Sequence, residues 1–397
     1  MPRRRGATRK HSRCSTRPTP DRWNRQAASA IPACCTAISD SAGGMVMFSR
    51  DKHVHRLDLA LQGGGAHGAF TWGVLDGLLQ DERLMPGALS GASAGAMNAA
   101  VLVSGFVSEG REGARERLRS FWKELNRSGR EAGPLIPMIE AFPQTSRAIS
   151  SWWSAVFGDV SMAHASPELG REMQEILRGV IDDHVDFGAI RSENAPPLFI
   201  SATNARSGAL RLFRNGDLTS DALLASACLP LYFPPVTIDA KDYWDGGYSA
   251  NPPLVPLVQE SSNDDLLLIT VNTQVRTGTP RSAAAIIDRL TEIGFNQSMR
   301  KELQGLVLLQ SAIGDARAKP GAKDGLIAQV ERLRFHEIHD EATLAAMPAQ
   351  SKLLPVRHLL LKLHEAGEAA ARQWCAANVE HLGKRSTVDF AKRFGPA

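Results

Sequence analysis

The sequence predicts an α/β fold: a three-layer sandwich with a mostly parallel central sheet and helices on both faces, followed by a mostly helical C-terminal extension. Three observations predict it. From residue 55 to 275 short apolar runs alternate with segments of helical periodicity, the pattern of a parallel sheet covered by helices. Asp265–Asn272 (DLLLITVN) is a nearly continuous apolar run, typical of a strand covered on both faces. Beyond residue 280 the texture becomes helical.

In chain order, Arg56–Leu61 is a short apolar strand. Gly68–Gln80 places Phe70, Val74, Leu75 and Leu78 at helical spacing. Leu84–Ser90 is a second strand and Ala94–Gly105 a helix with a face of small residues. Leu198–Thr203 is a third strand, followed by a strand pair around Ala209–Arg214. Ile286, Leu290 and Ile293 fall at i, i+4, i+7, and within Val356–Ala376 so do Leu359, Leu363, Ala366 and Ala370 with one further turn, so each set predicts a helix. Arg332–Ile338 adds one strand. The resulting division is residues 1–50 as a disordered basic tail or a mis-assigned start, 55–260 as the catalytic domain, and 261–397 as the last core strand and a helical extension.

The 397 residues are 22% charged and 43% hydrophobic, ordinary for a soluble globular enzyme. The net charge of +4 is unevenly spread. Residues 1–44 hold nine basic and two acidic side chains, which leaves 37 basic and 40 acidic in the body. The basic excess therefore belongs to the tail, and no nucleic-acid groove is expected. That tail is Arg- and Ser-rich and poor in acids, as transit peptides are, but it lacks the apolar core of a secretory signal. Met45 and Met47 offer later starts. Five cysteines with no C-x-x-C spacing fit a reducing compartment, and the cytoplasm is the expected location. Leu84 to Ser108 carries no charge, yet it is rich in Gly, Ala and Ser and contains a turn. A buried strand, a sharp turn and a buried helix explain it better than a membrane span.

Two glycine turns carry the chemistry. Gly63-Gly64-Gly65-Ala66-His67-Gly68 follows a strand and opens a helix. It fits G-x-G-x-x-G, so a dinucleotide is the first candidate ligand. Asp81 and Glu82 stand near the distance of a ribose-binding acid, but before the second strand rather than at its end. The N–H groups of such a turn serve a pyrophosphate or a reaction oxyanion equally. Gly91-Ala92-Ser93-Ala94-Gly95 is G-x-S-x-G between a strand and a helix, the context of a nucleophile elbow. Both turns would lie side by side on the carboxyl edge of one sheet, where open α/β sheets place their sites.

A serine nucleophile needs a base. His336, His339, His358, His364 and His381 come late enough in the chain, but none follows an apolar strand at a turn signal, and His358 and His364 read as surface or helix-end residues. His336-x-x-His339 has no evident third metal ligand. Asp245, in Tyr243-Trp244-Asp245-Gly246-Gly247, is the better candidate, because aromatic neighbours lower the local dielectric and make a carboxylate more basic. A plain Asp-Gly hairpin turn explains the same dipeptide equally well.

Together these motifs resemble the patatin-like phospholipase family: a glycine-rich loop (Gly63–Gly68), a G-x-S-x-G serine (Gly91–Gly95) and an aspartate in D-G-[AG] (Asp245–Gly247). Ala225–Pro235 (ASACLPLYFPP) and Asn251-Pro252 add to the resemblance, which covers about residues 56–260. It implies a Ser–Asp dyad with no catalytic histidine. Ser93 attacks an ester carbonyl of a phospholipid or other acyl lipid. Asp245 takes the proton and later activates water. The loop of Gly63, Gly64 and Gly65 forms the oxyanion hole, and Gly68, Gly91, Gly95, Gly246 and Gly247 support the motifs. No metal or other cofactor is implied, and a peripheral contact with a membrane is compatible with the substrate. His67 departs from the family, which usually has Arg or Lys there; a positive charge at that position becomes pH-dependent. Two other readings stay open: a nucleotide-binding protein using Gly63–Gly68, and an inactive scaffold of the same fold. Finally, Ile149–Val160 (ISSWWSAVFGDV) reads either as a core helix or as a flap over Ser93.

Overall fold

The structure is a computed structural model that describes residues 54–132, 137, 167–276, 278–281, 283–316, 325–347 and 349–394. The basic tail and the aromatic segment 149–160 lie outside the described residues. Eight strands form one sheet: β1 His55–Leu61, β2 Leu84–Gly91, β3 Leu198–Asn204, β4 Leu210–Arg214, β5 Val236–Ile238, β6 Lys241–Asp245, β7 Asp265–Ile269 and β8 Arg334–Ile338. Their order is β5-β6-β3-β2-β1-β7-β8, with β4 paired to β3 off this path. Strands β3, β2, β1, β7 and β8 are mutually parallel, and β4, β5 and β6 form the antiparallel end. The expected strands at 56–61, 84–90, 198–203, 265–272 and 332–338 are all present, and the expected pair at 209–214 is β4 against β3.

Alternation along β1 sorts the two faces of the sheet. Leu57 and Leu59 face helices α1 Gly68–Gln80 and α2 Ala94–Glu131, where they meet Leu75, Leu78 and Leu102. Ala60 faces the other way, into a core shared with Leu254, Leu257 and Val258 of a short helix and Met299, Leu303 and Leu306 of a long one, Ala283–Ala316. The uncharged stretch 84–108 thus folds as β2 and the first turns of α2. Helix α2 runs further than its small-residue face suggests, with a break at Gly110, whose φ of 71° lies in the left-handed region.

Both helices expected from the spacing beyond residue 280 are present, but each buries a face other than the one its periodic apolar residues mark. In Ala283–Ala316, Ile286, Leu290 and Ile293 are exposed rather than buried, because the seam against the sheet starts at Phe295 and continues through Met299, Leu303 and Leu306. In Arg357–Asn378 the buried face is Leu360, Leu363, His364, Gly367, Ala371, Trp374 and Cys375, turned by about one residue from the row Leu359, Leu363, Ala366 and Ala370. The reason is a close helix pair. Added Cβ atoms would lie 2.0 Å from the His364 carbonyl at Gly73, 2.7 Å from Ala371 Cβ at Gly77, and 2.1 Å from the Phe70 carbonyl at Gly367. Glycine against backbone, rather than leucine against leucine, sets this interface, and periodicity of large apolar residues does not report it. His364 is buried there, bonded to Asp76 Oδ2 at 3.1 Å and against the Trp72 ring, so it is not the surface or helix-end residue expected.

Gly73→Ala should therefore cost about 1–3 kcal/mol or more, as overpacking does, whereas Gly179→Ala, in the helix Pro167–His184 with nothing near its Cβ position, should be neutral or stabilising by up to about 1 kcal/mol. Urea denaturation of the two variants checks the pair.

Candidate active site

Strands β1 and β2 are neighbours, and their last residues, Leu61 and Gly91, are in register. The two glycine turns therefore leave the carboxyl edge of the sheet side by side. They touch: a Cβ on Gly63 would lie 2.6 Å from the Ala92 carbonyl and 2.9 Å from Ser93 Cβ. No side chain fits there, which is the physical demand for glycine at this position.

Ser93 has φ 52° and ψ −125°, a conformation that costs a residue with a side chain of order 1–3 kcal/mol. Its surroundings hold it. The Ser93 N–H donates to Ser226 Oγ at 2.9 Å. Gly95 packs where a Cβ would be 2.1 Å from the Leu61 carbonyl, so helix α2 can start directly against β1. The strand–turn–helix context expected of Ser93 is thus present.

The Gly63 N–H donates to Asn251 Oδ1 at 2.7 Å, and the Gly63 carbonyl accepts from Asn272 Nδ2 at 2.9 Å. Among the described residues the N–H groups of Gly64 and Gly65 have no acceptor. Of the three glycines, Gly63 fixes the turn, and Gly64 and Gly65 keep free donors.

Asp245 ends β6, opposite Ala202 of β3. It is not a hairpin turn residue: the β5–β6 hairpin turns at Asp239 and Ala240, and Asp245 caps the short turn Gly246–Tyr248. Its side chain is fully buried. Oδ1 accepts the Gly247 N–H at 2.7 Å, and Oδ2 is buried without a hydrogen-bond partner of good geometry. Burial raises its pKa to about 7, while the Gly247 amide and the nearby Ser93 hydroxyl pull it down. Gly246 and Gly247 are required by space. A Cβ on the first would be 2.2 Å from the Ser201 carbonyl, and one on the second 2.3 Å from the Phe295 ring.

Ser93, Asp245, Gly64 and Gly65 open onto one cleft of about 160 Å³. Leu229, Leu231, Tyr232, Tyr248, Phe295 and Leu353 line its apolar part, and Asn272, Glu292 and Lys352 its polar part. None of the five late histidines lines it. His336 is buried in a network with Asp265 and Thr387, at 3.0 and 2.9 Å, and His339 bonds Glu341 at 2.7 Å. Among the described residues no group of three or more His, Cys, Asp or Glu is placed to hold a metal ion.

His67 corrects an expectation. It is 2% exposed and shares a 2.7 Å hydrogen bond with Ser351 Oγ. Burial, reinforced by the charge of Lys352, lowers its pKa to about 3. It is neutral across the physiological range and supplies no pH-dependent cation. The dinucleotide reading fails on geometry as well. Asp81 lies in the turn before β2, at the amino end of the sheet, where it pairs with Arg83 at 2.7 Å; the glycine loop is at the carboxyl end.

Sequence reasoning missed four supporting residues. Gln62, fully buried beside the glycine loop, accepts the amides of Val271 and Asn272 at 3.0 Å each. Ser226 and Asn251 sat inside stretches that resemble the family, but no spacing rule assigned them a task. Lys352 gave no signal at all, because only the fold brings it near Gly65.

A serine on a strained strand–turn–helix turn thus stands next to a buried carboxylate and a loop of amides that have no acceptor among the described residues. The family model for Patatin-like phospholipase matches residues 59–258, and the chain belongs to that family. At the level of the family it is a lipid acyl hydrolase. No curated protein gives a match. Two solved structures are similar in part. VipD from Legionella pneumophila is 14% identical, with a TM-score of 0.33, over 79% of this chain and 67% of that one. ExoU from the type III secretion system of Pseudomonas aeruginosa, solved with SpcU, is 15% identical, with a TM-score of 0.26, over 81% of this chain and 76% of that one. Among the described residues no helix is long and apolar enough to cross a membrane.

The raised pKa of Asp245 sets two pH dependences. If Asp245 is the base, kcat/KM rises with pH through about 7 and then levels; a histidine cation at position 67 would give the opposite slope. Stability runs the other way. Between 3.8 and about 7 the folded state holds a proton that the unfolded state releases, so stability falls across that window. Asp245→Asn should lose activity yet gain stability, by about 1–4 kcal/mol above pH 7 and little at about pH 4. Melting temperatures of both proteins across pH check this.

Proposed function

We propose that the protein hydrolyses acyl esters of lipids through an acyl-enzyme, with Ser93 as nucleophile and Asp245 as base. The observation that carries this reading is the fully buried Asp245 carboxyl, with Oδ2 lacking a well-formed hydrogen bond and Ser93 within its reach. A carboxylate that titrates near neutrality is matched to take a hydroxyl proton at physiological pH.

The steps balance within the dyad. Ser93 Oγ attacks the ester carbonyl carbon as its proton passes to Asp245 Oδ2. The negative charge moves to the carbonyl oxygen, which faces the amides of Gly64 and Gly65 in the turn that leads into α1. Collapse expels the alcohol, which leaves with the proton from Asp245. Water then gives a proton to the same carboxylate and attacks the acyl-enzyme. Collapse of the second tetrahedral intermediate frees the fatty acid and returns the proton to Ser93. No histidine takes part. Leu229, Tyr232, Phe295 and Leu353 suit an acyl chain. Leu231 and Tyr248 line the cleft and are also 51% and 45% exposed, which suits contact with the lipid surface that delivers the substrate.

A fluorophosphonate probe should label the wild-type protein at Ser93 and leave Ser93→Ala unlabelled. Hydrolysis of p-nitrophenyl esters by that variant should fall at least about 10³-fold, since only the oxyanion site and binding remain. Labelling of Ser93→Ala, or full hydrolysis by it, would remove Ser93 from the mechanism.

A further inference from the structure

The family match ends at residue 258, yet part of the cleft comes from beyond it: Asn272, just after β7, and Lys352, in the turn Ala349–Leu353. Lys352 is tied to the glycine loop at both ends. Its carbonyl oxygen lies so near Gly65 that a Cβ there would be 2.2 Å away, which only glycine with its φ of 57° allows. Its Nζ donates to Asn272 Oδ1 at 2.7 Å, and Asn272 Nδ2 donates to the Gly63 carbonyl at 2.9 Å. Asn272 Oδ1 in turn stands 3.5 Å from the Cβ position of Gly64. The ammonium group is therefore held beside the two glycines whose amides are free.

The electrostatics of the cleft give that placement a consequence. Glu292, the other acid lining the cleft, pairs with Arg276 and Arg289 and also feels the charge of Lys352, so three cations share its one negative charge. His67 beneath the loop is neutral. During attack by Ser93 the negative charge leaves Asp245 and appears on the substrate oxygen at the glycine loop. A cation fixed on that side of the cleft favours the charge in its new place more than in its old one.

We propose that Lys352 is the fixed cation of the oxyanion site, so that the segment beyond the family region completes the catalytic cleft. This rests on the Ser93–Asp245 reading above. The role is electrostatic and lies in the transition state, so it appears in kcat rather than in KM.

The test compares Lys352→Met and Lys352→Arg with wild type on p-nitrophenyl butyrate and on phosphatidylcholine vesicles. It also follows the rate of fluorophosphonate labelling, with Ser93→Ala run alongside. Lys352→Met should lower kcat about tenfold or more on both substrates with KM little changed, and slow labelling by a similar factor. Lys352→Arg, which keeps the charge, should recover most of the loss. An unchanged kcat with KM raised only for phosphatidylcholine would make Lys352 a head-group contact and overturn the proposal. So would equal losses in both variants with lowered melting temperatures, which would mark a structural strap, and so would no effect in either. If Ser93→Ala is labelled and active, the dyad itself fails whatever Lys352 does; if Ser93→Ala is silent and Lys352→Met is wild-type, only the present proposal fails.

Discussion

One buried carboxylate organises the site. Asp245 has no exposed surface, and only one of its oxygens has a well-formed hydrogen bond, to the Gly247 amide. Taking a carboxylate out of water without a matching cation is costly, and the protein answers by letting the group hold its proton up to near neutrality. The rest of the edge follows from keeping that carboxyl beside Ser93. Gly246 and Gly247 must be glycine to let the turn lie against Ser201 and Phe295. Ser93 must accept a left-handed backbone, and Ser226 holds it there. Stability is given up at this edge, as is usual where function requires strained or unsatisfied groups.

The glycine loop works by a second, complementary logic. Gly63 is held on both its backbone groups, by Asn251 and Asn272, while the next two amides have no acceptor among the described residues. Rigid neighbours and free donors are what a preorganised anion site needs, because donors that do not have to move lose nothing at the moment charge develops. The parallel register of β1 with β2 places this loop against the serine turn, so the sheet itself sets how the two turns meet.

Much of this was legible in the sequence, for identifiable reasons. Strand–helix alternation and the apolar run at 265–272 report a parallel sheet because both faces must be covered. G-x-S-x-G and the first glycine run report tight turns because no other residue fits where Gly63 meets Ser93 or Gly95 meets Leu61. What was not legible depends on contacts across the chain. The pairing of Gly73 and Gly77 with the helix Arg357–Asn378 is made by absent side chains, so the spacing of large apolar residues does not reveal it. The same packing buries His364. His67 looked like a titrating cation because its type is visible and its burial is not. Lys352 reaches the cleft only because the chain returns over Gly65 after β8.

In the proposed dyad Asp245 is a buried carboxyl that exchanges a proton with Ser93. Infrared difference titration of wild type against Asp245→Asn, from about pH 5 to about pH 9, observes that proton directly. A protonated carboxyl band assigned to Asp245 is expected at the acid end and should disappear with a midpoint near 7. A carboxylate already ionised at about pH 5, with no band lost on raising the pH, would contradict it.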